Sequence, residues 1–147
     1  MVSARCLDSF IAQHRLPDSF RNTATTIYEP LAAWLRRRLA SKTPFLLGIN
    51  GAQGTGKSTL AAYLALALGE SGQCNVAILS IDDFYLTKAE RLQRAESIHP
   101  LLATRGVPGT HDISMLRDCL SRLRALKAGQ HCRLPRFDKA ADDRADE

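Results

Sequence analysis

Apolar side chains recur at helical spacing through residues 1–43, and that segment reads as helical. In "EPLAAWLRRRLA" Leu31, Trp34, Leu35 and Leu39 share one face, and Pro30 suits a first-turn position. Arg36, Arg37 and Arg38 are consecutive, so they fan around the helix and read as solvated surface. The pattern then changes. "PFLLGIN" is a short continuous apolar run, read as a buried strand from Phe45 to Asn50, and Gly51 to Gly56 follow it as a loop. "KSTLAAYLALAL" is apolar nearly all round, as a helix pressed against a sheet would be, with Gly69 and Gly72 as its stop signals. "NVAILSID" is a second apolar run that ends in acid, the habit of strands covered on both faces in parallel sheets.

Thr87 and Glu90 have the spacing of a capping box and open a short helix. "DISMLRDCLSRLRALKAG" is amphipathic, with Ile113, Leu116, Leu120 and Leu123 predicted to face inward and Gly129 to close the helix. "CRLPRF" reads as a third strand, and "DKAADDRADE" is polar to its end. Strand, helix and strand in this order predict a parallel α/β fold. Only two or three strands are legible, fewer than the five or so such a sheet ordinarily holds. Two regions are expected: an N-terminal helical segment over 1–43 and an α/β domain over 44–147.

Composition narrows the function classes. The 147 residues are 45% hydrophobic and 24% charged, ordinary for a globular domain able to bury a core. A net charge of +5 favours anionic partners, although a generic solvated surface is the commoner cause of such a balance. The four cysteines, Cys6, Cys74, Cys119 and Cys132, lack CxxC spacing, and His131 beside Cys132 lacks the company a metal needs. Neither a disulfide framework nor a zinc site is predicted, which fits a reducing interior. The N-terminus has no continuous apolar core, and "LAAYLALALG" is far shorter than the roughly 20 residues of a membrane span. The expected location is the cytoplasm, with neither membrane nor nucleic acid as partner.

The residues "GAQGTGKS", Gly51 to Ser58, satisfy G-x-x-x-x-G-K-[ST] between a predicted strand and a predicted helix, the context that gives the motif its meaning. Glycines let the backbone curl so that successive N–H groups converge on one anion at the positive end of a helix dipole. Gly51, Ala52, Gln53, Gly54, Thr55, Gly56, Lys57, Ser58 and Thr59 are therefore predicted to bind nucleotide. Lys57 would reach the β- and γ-phosphates, and the Ser58 hydroxyl is placed to ligate Mg²⁺. The fold this implies is of the P-loop NTPase type: three layers around a parallel sheet, incomplete toward the C-terminus and preceded by helices. The motif alone does not separate kinases from GTPases or motor ATPases. Asp82, in "SIDDFYL", ends the next strand and should emerge at the sheet edge that carries the loop, where ligands bind. It suits a base for an attacking hydroxyl or a Mg²⁺ neighbour. The plainer alternative is that Asp82 or Asp83 only caps a turn.

"GAQGTGKST", "SIDDFYLT", "HPLLATRGVPGTHD" and "LPRFDKAADDR", in this order over roughly residues 45–144, resemble the D-glycerate 3-kinase family. That family is in turn similar to uridine kinase, phosphoribulokinase and bacterial pantothenate kinase. The resemblance implies ATP and Mg²⁺ as cofactors and a small hydroxy acid as acceptor, with Lys57 and Asp82 catalytic and Ser58 and Asp82 beside the metal. It places Tyr85, Arg105, His111, Asp112, Asp138 and Arg144 at the acceptor site. An arginine suits a glycerate carboxylate, because its planar fork can hold both oxygens. Phe137 and Asp142 stand where uridine kinases carry tyrosine and histidine, which makes nucleoside recognition doubtful.

Each acceptor residue also has a plainer reading. Asp112 sits where a helix N-cap belongs, and both roles can hold together. His111 could brace the turn at Pro108 and Gly109, Phe84 and Tyr85 could be core, and Asp138 and Arg144 could form a surface pair of little energetic consequence. Family members continue with a further strand and an arginine-bearing lid. The chain therefore reads as an N-terminal portion, expected to bind nucleotide weakly and to transfer phosphate poorly by itself. Two rivals stand beside the kinase reading. One is a P-loop ATPase without an acceptor; no NKxD-type signature supports a GTPase. The other is a nucleic-acid-binding module, disfavoured by 6% aromatic content and scattered arginines.

Overall fold

The computed structural model describes residues 1–39, 44–70, 72, 74–127 and 129–145. The end of the predicted N-terminal helical segment (40–43), position 128 of the "DISMLRDCLSRLRALKAG" run and the last two residues of the polar tail lie outside the described residues. The chain forms two compact units, Met1–Ile78 and Leu79–Glu147.

The first unit is helical. Ser3 opens α1 (Ala4–Gln13) by accepting a hydrogen bond from the Cys6 N–H on its side-chain oxygen. A second helical run holds α2 (Phe20–Thr23), a π-turn (Ala24–Tyr28) and α3 (Glu29–Leu39) without interruption. Pro30 thus sits beyond a widened turn rather than at the start of a new helix. Its ring crowds the carbonyl four residues back and it has no N–H to donate; the π-turn, closed by Glu29 N–H to the Ala24 carbonyl, makes room for it. The widened turn also changes which side chains face inward. Ala32 and Leu35 are buried, whereas Trp34 is 41% exposed and is covered by the Arg38 guanidinium 4.3 Å above its ring.

Helix α4 (Lys57–Gly69), apolar on every side as its sequence predicts, buries Tyr63, Leu64, Ala67 and Leu68 against α1 to α3. Tyr63 is the hub. Its ring meets Phe10, Phe20 and Tyr28 edge-on, at centroid distances of 5.5, 6.2 and 5.3 Å. Such pairs contribute about 0.5–1.5 kcal/mol each beyond the area they bury. Its hydroxyl donates to Glu29 Oε1 at 2.9 Å, and the Val2 N–H donates to the same oxygen at 2.8 Å. Arg36 stands 4.0 Å from the other Glu29 oxygen and donates to the Ala67 carbonyl at 3.0 Å. Arg36 therefore departs from the solvated surface expected of all three consecutive arginines. A buried carboxylate needs partners, and the chain just before α1, helix α3 and helix α4 each supply one.

Residues 45–50 and 75–82, the two predicted strands, form no ladder; Asp82, expected to end the second, lies in a 3-10 turn (Ile81–Phe84), and the expected parallel sheet is not formed by the described residues. A strand's N–H and C=O groups need a paired neighbour, and its apolar side chains need cover. The pairing is not supplied by the described residues and the cover is partial: Ile49 packs on the core, but Leu46 is 71% exposed, and Val76 and Ile78 about two-fifths. No helix among the described residues is long and apolar enough to cross a membrane.

In the second unit Tyr85, just after the 3-10 turn, bridges antiparallel to His111. Leu86 N–H donates to the Thr110 carbonyl at 2.9 Å, and Asp112 N–H to that of Phe84 at 2.7 Å. The Thr87–Glu90 capping box opens α5 (Lys88–Ser97) as predicted. Helix α6 (Ile113–Ala125) buries Cys119 and half-buries Leu116, Leu120 and Leu123. Ile113, expected inside, is 56% exposed because the N-cap at Asp112 turns the first residue of the helix outward. The third predicted strand shrinks to β1 (Phe137–Asp138), paired antiparallel with β2 (Asp143–Arg144) in a tight hairpin.

Burial first, then the Glu29 carboxylate, push the Tyr63 phenol well above its usual value near 10. The folded state therefore holds that proton more tightly than the unfolded chain. This stabilisation is complete below about pH 10 and is lost as pH rises through the raised value. Tyr63→Phe is expected to lower the unfolding free energy by about 1.5–3 kcal/mol at neutral pH. In urea titrations repeated at increasing pH, the variant should also lack the wild type's Tyr63-dependent loss of stability.

Candidate active site

The loop from Gly51 to Ser58 is built from backbone. Gly54 and Gly56 have φ of +78° and +82°, left-handed values that other residues adopt only with strain. A Cβ at Gly51 would lie 3.0 Å from Thr55 Oγ1, so that hydroxyl would have to give way. Thr55 Oγ1 donates to the Ala52 carbonyl at 2.8 Å, and Lys57 Nζ donates to the carbonyls of Gly51 and Ala52 at 2.8 and 2.7 Å. The lysine is thus laid across the mouth of the loop. Gly56 caps α4 without a side-chain acceptor, so the first N–H groups of the helix are left to receive an anion. This geometry fits a nucleotide's phosphate chain. Ser58 is exposed on the first turn and Thr59 is half-buried. The described residues contain no group of three His, Cys, Asp or Glu able to hold a metal. A Mg²⁺ here would take Ser58, with water and phosphate oxygens completing its shell.

In the second unit the turn after residue 80 separates two adjacent aspartates by role. Asp83 is structural: it accepts from the Ser80 N–H at 3.4 Å, from the Phe137 N–H at 3.2 Å and from Arg136 at 2.9 Å. Asp82 is left for other contacts. Its Oδ2 accepts from Lys139 Nζ at 2.8 Å. That hydrogen bond holds the Asp82 carboxyl below the usual carboxylate range; partial burial opposes the shift, and the Tyr85 hydroxyl adds to it. Burial and the Asp82 charge push the Tyr85 phenol up. The Tyr85 ring is buried, stacked on His111 at 4.2 Å and edge-on to Phe137 at 5.4 Å. Phe84 is core.

The remaining candidates are tied to these. Arg105 Nε reaches Asp142 Oδ1 at 2.9 Å. Asp112 caps α6 through the Met115 N–H and accepts from Arg144 Nη2, both at 2.9 Å. Burial works to raise its pKa, but these bonds prevail and leave it below the usual range. Arg144 Nε donates to the Tyr85 carbonyl at 3.1 Å. Asp138 has a different neighbourhood: it accepts from the N–H groups of Ala140 and Ala141 at 2.7 and 3.1 Å, so it shapes the hairpin turn and does not pair with Arg144. Nε2 of His111 is buried without a protein partner among the described residues.

Sequence reasoning offered turn-capping for Asp83 but missed its long-range contacts, Lys139, and Arg91. The last is fully buried in α5 and holds Asp142 Oδ2 at 2.9 Å. The contacts of Lys139 and Asp83 span more than 50 residues, beyond any local pattern. The two aspartates should separate in stability measurements. Asp83→Ala strands Arg136 and two N–H groups and is expected to cost about 2–4 kcal/mol in chemical denaturation. Asp82→Asn, removing a part-exposed ion pair, should stay within about 1 kcal/mol.

No family model matches the chain. It is 40% identical over 110 residues to the uncharacterized kinase mug58 of Schizosaccharomyces pombe, a match covering 71% of this chain and 39% of that protein. It is 30% identical over 135 residues to the pantothenate kinase of Agrobacterium fabrum, covering 91% of this chain and 40% of that one. Among solved structures, the D-glycerate 3-kinase of Cryptococcus neoformans var. grubii matches with a TM-score of 0.69 at 29% identity, over 83% of this chain and 47% of that one. The chain spans about two-fifths of the curated relatives it matches. Both kinds of match are to kinases, and together they support a glycerate kinase-like P-loop kinase.

Proposed function

We propose that this chain serves an ATP- and Mg²⁺-dependent kinase that transfers the γ-phosphate to a hydroxyl of D-glycerate or a similar hydroxy acid. One observation carries the reading beyond nucleotide binding. In a single unit, the ionised Asp82 stands with Lys139 and Tyr85, and the neighbouring Arg105 offers a fork suited to a carboxylate. Residues 51–59 bind the phosphates through backbone N–H groups, and Lys57 lies across them as a point charge. Ser58 in the first unit and Asp82 in the second are each candidates for holding Mg²⁺, which would supply charge neutralisation to the phosphates. Asp82 accepts the hydroxyl proton as the new P–O bond forms and the bond to ADP breaks. A carboxylate held below its usual pKa is a weak base toward an alcohol. Its larger contribution is to orient the hydroxyl, since positioning and electrostatics dominate phosphoryl transfer. Tyr85, His111, Asp112 and Arg144 frame the acceptor, and Asp138 sets the turn that presents Lys139.

The apolar segments 45–50 and 75–80 are read as strands of a parallel sheet with further strands beside them, in the three-layer arrangement of P-loop proteins. The mode of action needs a small molecule and neither nucleic acid nor membrane, and it suits the cytoplasm. ADP release by the purified protein should depend on the hydroxy acid. Lys57→Ala should abolish it, and Asp82→Asn should spare ATP binding while lowering turnover by about 10²–10⁴-fold. Acceptor-independent ADP release, or near-normal turnover in Asp82→Asn, would contradict the assignment.

A further inference from the structure

Asp142 is gripped from two sides. Buried Arg91 holds its Oδ2 at 2.9 Å and its carbonyl oxygen at 2.8 Å, and Arg105 Nε holds Oδ1 at 2.9 Å. The two guanidinium groups lie 5.7 and 5.4 Å from the centre of the same Phe137 ring. Both carboxylate oxygens are thereby committed, and the backbone of Asp142 sits at φ +57°, a conformation aspartate and asparagine tolerate better than most residues. Arg91 is fully buried, and its Nε and Nη1 find no partner among the described residues. Such a charge is a costly way to gain stability, since an apolar side chain of similar volume would fill the space without desolvation. What the arrangement secures is orientation.

Arg105 is the group oriented. Its Nε is bound and its plane lies near the Phe137 ring, while its two terminal NH₂ groups have no hydrogen-bond acceptor among the described residues. Arg105 stands beside the Tyr85 cluster: a Cβ on the adjoining Gly106 would lie 3.9 Å from the Tyr85 hydroxyl, and Tyr85 and Arg105 both contact the Phe137 ring, each at 5.4 Å. We propose that Arg91 and Asp142 are positioning residues that aim the free edge of the Arg105 guanidinium at the carboxylate of the acceptor, so that this clamp makes the site select a carboxylate-bearing alcohol. The inference rests on the kinase reading above and adds the device that sets its acceptor class.

The test compares wild type, Asp142→Asn, Arg105→Ala and the double variant, measuring kcat and KM for D-glycerate and for ATP, with the melting temperature recorded for each. Asparagine suits the left-handed backbone, and Arg105→Ala leaves the Arg91–Asp142 pair intact. Each single variant should raise the D-glycerate KM by about 10- to 100-fold, the value of one charge-assisted hydrogen bond. The kcat and the ATP KM should stay within about twofold, and the double variant should be no worse than the poorer single one. An unchanged D-glycerate KM in Asp142→Asn, or a parallel loss in kcat and ATP KM, overturns the clamp and leaves the kinase reading standing. If Asp142→Asn does not fold, Arg91→Met carries the same test: a raised D-glycerate KM supports the clamp, and an unchanged one overturns it. If wild type shows no acceptor-dependent ADP release, the kinase reading fails by itself. Calorimetric titration with D-glycerate then decides the clamp: binding weakened in Asp142→Asn supports it, and equal or absent binding overturns it.

Discussion

The Asp83 carboxylate joins the turn after residue 80 to the hairpin that begins at Phe137. It accepts from the turn's own Ser80 N–H and from Phe137 N–H and Arg136 across more than 50 residues of chain. Because Asp83 satisfies the turn, Asp82 does not have to. The same junction brings Lys139 to Asp82, Asp142 to Arg105 and Arg144 to Asp112. A carboxylate with several donors holds its place far better than an exposed ion pair, which contributes about 0–1 kcal/mol. The turn and its long-range contacts therefore fall to Asp83, and Asp82 pairs with Lys139 alone among the described ion pairs.

The first unit uses a buried acid in a comparable way. Glu29 gathers the Val2 N–H and the Tyr63 hydroxyl, with Arg36 close by, and Tyr63 belongs to the helix that begins at the phosphate loop. The loop itself is held by carbonyl acceptors for Thr55 and Lys57 and by glycines that tolerate left-handed backbone. Preorganised N–H groups can then meet an anion without first paying the entropy of ordering the loop.

The local features were legible from the sequence. The phosphate loop, the apolar α4, the capping box at Thr87 and the N-cap at Asp112 each depend on residues within a few positions of one another. What was not legible depends on distance or on a small shift of phase. The π-turn before Pro30 moved Trp34 outward, and Arg36 was drawn inward by Glu29 and Ala67. The predicted strands carry the right apolar runs, but pairing is a property of neighbours, and periodicity does not supply them. In the second unit, sequence resemblance pointed to Tyr85, Arg105, Asp112 and Arg144. The pairing of Arg105 with Asp142, that of Arg144 with the Tyr85 carbonyl and the buried Arg91 emerge only from folding.

The central claim is that the protein hands a nucleotide's terminal phosphate to an alcohol instead of to water. The most direct measurement supplies ATP labelled in its γ-phosphate together with D-glycerate, then follows the label by mass spectrometry. The account predicts that the label appears as a phosphate ester on the hydroxy acid. Label recovered only in inorganic phosphate, at the same rate with and without D-glycerate, would contradict it.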